Sequence, residues 1–364
     1  MKITIVGAGI VGYAVAYELA ARGAQVRLID ARASGQGATR ASAGILAPYI
    51  EGHSGPLLQL GVRGLDQYDN FVARVAADAH SPVEYRRTGT LQVACSDDKA
   101  QELQEQGRAL AAAGVAHSCL DGDAVRRIEP SLAAEVRAGL LIPQHGYVGV
   151  ATLMSALVTA TGRHGATLST AQVNGIHLRG GSLAVETSED TFASDVVVIA
   201  AGSWSGLIPM TQAPPLPVRP VRGQVIQLRF ASPPLSRVVW GSAGYLVPWE
   251  DGSVLVGATV EDVGFDERVT VEGVRQLLAG AVDLLPAART ATFDSARAGL
   301  RPATPDELPI VGRSSTMHGV YYATGHYRNG VLLAPLTAAM IGDLVLDGRE
   351  CRELALVRPD RFGL

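Results

Sequence analysis

Residues 3–12 read Ile3-Thr4-Ile5-Val6-Gly7-Ala8-Gly9-Ile10-Val11-Gly12, and a mostly apolar segment continues from there to residue 22. The uncharged run Ile3–Val6 reads as a buried strand, and residues 10–22 read as a helix. Between them, Gly7, Gly9 and Gly12 form Gly-x-Gly-x-x-Gly. Gly7 permits the tight turn, Gly9 lets backbone approach a pyrophosphate, and Gly12 lets helix and strand pack closely. The amides at the helix start, those of Ile10 and Val11 among them, are placed to meet an anion. A second strand, Gln25 to Ile29, leads to Asp30 and Ala31. Asp30 lies eighteen residues after Gly12, where a carboxylate can accept ribose hydroxyls. The stretch predicts a dinucleotide-binding unit. Asp30 argues against NADP, whose extra phosphate it would repel; the loop alone does not separate FAD from NAD.

The rest of the chain bounds the answer. Its 364 residues suit two domains, and 47% hydrophobic with 18% charged residues is a globular composition. Lys2 and Lys99 are the only lysines, so arginine carries nearly all the positive charge. A net charge of -4 and the lack of a basic run predict no nucleic-acid partner. Cys95, Cys119 and Cys351 share no metal-ligand or disulfide spacing, which predicts a reducing compartment and no metal site. No signal-like segment precedes the first strand, and runs such as Val196 to Ala201 are too short to cross a bilayer. The expectation is a cytoplasmic protein with no membrane association.

Alternating strand-like and helix-like segments favour an α/β domain. Helical composition recurs at residues 64–78, 99–113, 151–165, 270–285 and 333–347. Polar–apolar alternation at Thr90 to Ala94 and Gly223 to Phe230 predicts half-exposed strands. Pro214-Pro215, Pro217, Pro220 and Pro233-Pro234 predict turns or crossings. Asp195-Val196-Val197-Val198-Ile199-Ala200-Ala201-Gly202 reads as another buried parallel strand ending in a small-residue turn. If it joins the first sheet, the cofactor domain is discontinuous.

Further segments resemble the FAD-dependent D-amino acid oxidase superfamily, most closely its glycine oxidase branch, from Met1 to about Leu346. Ala38-Thr39-Arg40-Ala41-Ser42-Ala43-Gly44-Ile45-Leu46 is similar to the family's loop beside the flavin. Ala43 and Ile45 stand where many members have glycine and methionine. Val196 to Trp204 resembles the strand and Ala-Gly-x-Trp turn, with Gly202 and Trp204 beside the cofactor. Val173 matches the position whose backbone meets the adenine. Gly325-His326-Tyr327-Arg328-Asn329-Gly330-Val331-Leu332 resembles the C-terminal flavin segment, His326 serving as a backbone neighbour and not as a base. The resemblance implies an α/β (α+β) fold: a Rossmann-type FAD-binding domain with an inserted substrate domain on an antiparallel sheet. The division expected is 1–80, 146–217 and 302–364 for FAD, with 81–145 and 218–301 for substrate.

The same resemblance implies the substrate residues. Arg301, in Gly299-Leu300-Arg301-Pro302, matches the arginine that pairs with a substrate carboxylate, for which a guanidinium fork is suited. Tyr245 matches a tyrosine lining that site, and Arg328 a second arginine near substrate and flavin. The implied reaction oxidises glycine, sarcosine or small D-amino acids to a 2-oxo acid, ammonia and hydrogen peroxide, driven by orientation without a dedicated catalytic dyad. The branch is tied to thiamine thiazole synthesis and is usually homo-oligomeric. No cysteine lies near Arg301, so FAD is expected to be noncovalent. A dehydrogenase using an electron carrier and a non-turnover flavin subunit are the alternatives. A flavin domain that modifies tRNA would need a basic face.

Overall fold

The computed structural model describes residues 1–50 and 54–364. Its first sheet has six strands in the order Ile310–Arg313, Val320–Thr324, Val196–Ile199, Lys2–Val6, Gln25–Asp30 and Thr167–Thr170. All neighbours are parallel except Ile310–Arg313, which runs antiparallel to Val320–Thr324. The run at residues 195–202 therefore does belong to the first sheet, with Ile3 opposite Val196. Strand periodicity divides its side chains between two cores. Val196 and Val198 face a layer of helices, Ile10–Ala21, Gly55–Ala79, Val150–Arg163 and Ala334–Leu346. Val197 and Ile199 face a small antiparallel sheet, Val173–Arg179, Ser182–Thr187 and Thr191–Ser194.

A second sheet has eight strands. They run Thr292–Ala303, Arg219–Arg229, Ser253–Gly257, Gly244–Pro248, Val238–Gly241, Thr90–Ala94, Ala138–Ile142 and Ser118–Asp121. Only the Val238–Gly241 and Thr90–Ala94 pair is parallel. Leu91, Ile226, Val239, Leu246, Val254 and Val256 point to a core shared with helix Val271–Leu284. The opposite face carries Val225, Val238, Val247 and Leu255 against Ala43 and Tyr147, beside the dinucleotide-binding sheet. A three-stranded sheet, Ile45–Leu46, Gly146–Val148 and Tyr85–Arg86, joins the two.

Four expectations change. The strands expected to be half-exposed are buried on both faces: of Thr90–Ala94 only Gln92, and of residues 223–228 only Gln227, is partly exposed. The helix expected at 64–78 is Gly55–Ala79. Its glycines serve close packing: a Cβ on Gly61 would lie 2.9 Å from Pro48 Cβ, and one on Gly64 would lie 2.6 Å from Leu332 O. The strand expected from Gly223 starts earlier, spanning Arg219–Arg229, and so contains Pro220. Pro220 faces Pro302 in an antiparallel register. Neither has an N–H, so this is a pair that exchanges no hydrogen bond, and proline costs the ladder nothing there. Helix Gly122–Ile128 was not anticipated, although Asp121 caps it by accepting a 2.7 Å bond from the Ala124 N–H. No helix among the described residues is long and apolar enough to cross a membrane.

Candidate active site

A cavity of about 720 Å³ lies where the two large sheets meet. One end is the glycine loop. Gly7 has φ +114°, and a Cβ there would lie 2.3 Å from Ala200 O. A Cβ on Gly12 would come within 2.0 Å of Gly7 O, so the helix can sit this close to the strand only without a side chain. Gly9 caps the helix with no side chain, and the first turn holds no acid. The Thr39 hydroxyl accepts the Ile10 N–H at 3.1 Å, bringing the Ala38–Ala41 turn over the helix start. Asp30 accepts from the Ala8 N–H at 2.7 Å and from the Arg32 N–H at 2.9 Å, which ties its carboxylate to both loops. Val173 and the Gly202–Leu207 turn complete this end, with the Arg32 guanidinium 4.2 Å from the Trp204 ring centroid.

The other end is built on the eight-stranded sheet. Three contacts draw it together. The Ser203 hydroxyl donates to Leu300 O at 2.9 Å, the Tyr327 N–H donates to Pro302 O at 2.8 Å, and Gly299 abuts Ala38 and Ala41. Arg301 thereby shares a wall with the turn at 202–204, the loop at 38–45 and the segment at 326–331. Its guanidinium lies flat on the neighbouring strand, where a Cβ on Gly223 would be 2.2 Å from Nη2. Nη1 donates to Thr259 O at 3.0 Å and to Arg222 O at 3.3 Å. The Tyr245 ring uses the same device, covering Gly257, whose Cβ would be 2.5 Å from the phenol oxygen. Trp240 packs on Tyr245 with ring centroids 5.0 Å apart.

Arg301 and Arg328 line this wall, with Asp30 its one carboxylate among the described residues; Arg32 lines it too, but its guanidinium is paired with Glu267 at 2.9 Å. The Arg328 guanidinium stands 5.2 Å from the Tyr327 ring centroid. His326 adds no charge. Its ring is buried, its Nε2 is 2.9 Å from the Thr337 hydroxyl, and burial pushes its pKa down to about 3. It is thus poorly placed to act as a base.

Of the residues expected from sequence, the structure brings Gly7, Gly9, Ile10, Val11, Asp30, Ala31, Ala38, Thr39, Ala43, Gly44, Ile45, Val173, Gly202, Trp204, Tyr245, Arg301, His326, Tyr327, Arg328, Gly330 and Val331 onto one wall. Gly12, Asn329 and Leu332 are not on it. Gly12 spaces the helix from the strand, and Leu332 packs its side chain and carbonyl against the glycines of Gly55–Ala79. The buried Asn329 turns the chain, its N–H bonding His326 O and its carbonyl accepting from the Leu333 N–H, both at 2.8 Å. Sequence reasoning missed Arg32 and Trp240. Arg32 follows Asp30 by two residues and could have been flagged as a cation beside the ribose acid. Trp240 carries no local signal, because only the pairing of Trp240 with Tyr245 exposes its role in the wall.

A glycine loop on a parallel sheet, opening into an arginine-lined chamber on an antiparallel one, defines a dinucleotide-dependent oxidoreductase. Residues 2–344 match the family model described as FAD dependent oxidoreductase (DAO), and the chain belongs to that family; its cofactor is FAD. It is 34% identical over 369 residues to the bifunctional protein ThiO/ThiG of a Synechocystis species, covering 99% of this chain and 54% of that protein. The chain thus spans about half the length of that bifunctional relative. It is 33% identical over 347 residues to glycine oxidase of Geobacillus kaustophilus, covering 94% of this chain and 92% of that enzyme. The crystal structure of the Geobacillus kaustophilus glycine oxidase matches with a TM-score of 0.92 and 30% identity over 98% of both chains.

Proposed function

We propose that the protein oxidises glycine and other small amines bearing a carboxylate, sarcosine and small D-amino acids among them. The products are the 2-oxo acid, the released amine (ammonia from a primary amine, methylamine from sarcosine) and hydrogen peroxide. The observation that carries this is Arg301. Its guanidinium is held by two backbone carbonyls, and among the described residues no carboxylate neutralises it. A cation fixed in place on a cavity wall is a receptor for an acid. The glycine oxidase relative supports the amino acid class, and the ThiO/ThiG relative supports a role in making the thiazole of thiamine.

The residues present suit the cofactor. The uncapped helix start beyond Gly9 receives the pyrophosphate, Asp30 the ribose, and Val173, Arg32 and Trp204 the adenosine end. Loop 38–45 and segment 326–331 hold the flavin. When bound, FAD supplies the two-electron acceptor of the reaction. In this reading Arg301 binds the carboxylate through its remaining N–H corners, Tyr245 and Trp240 close the side of the pocket, and Arg328 adds positive charge. With the acid anchored, the α-carbon is held in one orientation, and that restriction supplies much of the rate. The substrate nitrogen must be neutral. The α-carbon gives up a hydride and the nitrogen a proton; water then hydrolyses the imine, and oxygen takes up two electrons and two protons.

The proposal includes noncovalent FAD, since none of the three cysteines lies on the wall of this cavity. It also includes a cytoplasmic homo-oligomer without a nucleic-acid partner. The domain division is 1–80, 146–217 and 302–364 against 81–145 and 218–301. The test is a peroxide assay of purified protein on glycine, sarcosine, D-alanine, D-proline and their L counterparts, with anaerobic flavin bleaching in parallel. Bleaching without peroxide would make the protein a dehydrogenase. A flavin that none of these amines reduces would remove the substrate assignment.

A further inference from the structure

Behind Arg301 lies an ionic cluster, centred on the buried Arg222 with partly exposed carboxylates, that the reaction itself does not use. Arg222 is 3% exposed, and its Nη2 donates to Glu261 Oε2 at 2.5 Å while its Nη1 lies 3.1 Å from Asp266 Oδ2. The other oxygen of Glu261 accepts from the Thr259 hydroxyl at 2.5 Å and from Gln224 Nε2 at 2.7 Å. Gln224 continues the chain to the cap of helix Val271–Leu284, accepting the Thr270 N–H at 2.8 Å. Burial alone would raise the Glu261 pKa, but the bonds from Arg222, Thr259 and Gln224 outweigh it and hold the carboxyl below its ordinary range.

The cluster ends at the two atoms that hold Arg301. Nη1 of Arg301 bonds the carbonyls of Arg222 and Thr259, residues whose side chains both grip Glu261. Backbone bonds reinforce the link: the Glu261 N–H donates to Arg222 O at 2.9 Å, and the Thr259 N–H donates to Gln224 O at 3.2 Å. Segment 258–261 lies past the end of strand Ser253–Gly257, where the ladder with Arg219–Arg229 has reduced to a single bridge between Arg222 and Glu261. A reciprocal pair of backbone bonds at that bridge and the bond from Thr259 to Gln224 hold the segment to its neighbour, and the Glu261 side chain adds a clamp to them.

We propose that Glu261 is a positioning residue for substrate binding: by clamping Arg222, Thr259 and Gln224 it fixes the carbonyls that orient the carboxylate-binding guanidinium of Arg301. This rests on the role proposed for Arg301. The arrangement also explains why a cation this close to an acidic cluster stays available. Arg222 takes up the charge of Glu261, and among the described residues Arg301 receives only carbonyl oxygens.

The test uses the flavin-loaded full-length protein with Glu261→Gln, Glu261→Asp and Thr259→Val. Acetate binding, read as a perturbation of the flavin spectrum, reports on the guanidinium without turnover; glycine KM and kcat are measured beside it. Glu261→Gln should weaken acetate binding and raise glycine KM by about tenfold, as expected for one misaligned bond of a bidentate pair, with kcat within twofold. Thr259→Val, the milder change, should shift both the same way by about threefold, and Glu261→Asp should recover part of the loss. Acetate affinity and KM within twofold of wild type in flavin-loaded Glu261→Gln or Thr259→Val would overturn the inference. So would a fall in kcat with unchanged acetate binding. If wild type binds acetate but does not oxidise glycine, the substrate assignment fails while the acetate comparison still decides the role of Glu261.

Discussion

Replacing Arg301 with alanine removes the group on which the substrate assignment rests, and the structure sets the size of the effect. Nη1 is already committed to Thr259 O and Arg222 O, so a substrate acid can draw on the remaining corners of the fork. Two hydrogen bonds to charged groups are worth roughly 3–6 kcal/mol when desolvated. Arg301 is only partly buried, so the low end applies: about 3 kcal/mol, or two orders of magnitude in kcat/KM. Arg301→Lys keeps the charge but loses the fork and should fall between the two. Neither change touches the glycine loop, so FAD should stay bound at full occupancy. The assay is anaerobic flavin reduction against glycine concentration, which reads the chemistry whatever the electron acceptor. Flavin-loaded Arg301→Ala with kcat/KM within threefold of wild type would refute the assignment of Arg301 to the carboxylate.

Other expectations concern the cofactor and the core. Gly12→Ala would place a Cβ 2.0 Å from Gly7 O, so the helix must move off the strand; the flavin-to-protein absorbance ratio after gel filtration should drop. Alanine otherwise favours helix, so a more stable, fully loaded variant would contradict the packing argument. Acid denaturation should release yellow flavin into the supernatant, and colour retained on the precipitated chain would show a covalent link. His145 and His326 both have pKa values held down to about 3, in each case first by burial. The unfolded chain therefore binds their protons more readily. Stability from each is full above pH 6.5 and is lost progressively down to about pH 3, at roughly 1.4 kcal/mol per pH unit. Urea midpoints measured from pH 7 to pH 4 should show this slope, and His145→Gln should flatten it; an unchanged profile in that variant would discount His145.

How much of this could be read from sequence follows from how far apart the partners lie. Gly7, Gly9, Gly12 and Asp30 are legible because turn, close approach and ribose acid all fall within one strand–loop–helix–strand unit, where spacing alone fixes geometry. Val196–Ile199 was legible as a strand from its unbroken apolar run, and its place in the sheet was open until the parallel register with Lys2–Val6 was seen. The first turns of the helix Gly55–Ala79 lie outside the expected range 64–78, since Gly55, Pro56 and Gly61 weaken helical propensity there. The reason for Gly61 lies in its close packing on Pro48 and on Leu332, the latter remote in sequence. Pro220 in the sequence points to a turn or crossing because the rule that excludes proline from strands assumes every N–H is needed, and at a non-hydrogen-bonded pair it is not. Arg301 was identified only through resemblance, since an arginine before a proline carries no signal of its own. What suits it to the proposed receptor role is that Gly223, directly across from Gly299, leaves the strand bare for the guanidinium, and that Glu261 takes the neighbouring charge of Arg222. Each of those relations crosses between strands some forty to eighty residues apart, so it is the sheet register, not any local motif, that brings an ionic cluster and two bare glycines together into the proposed binding site.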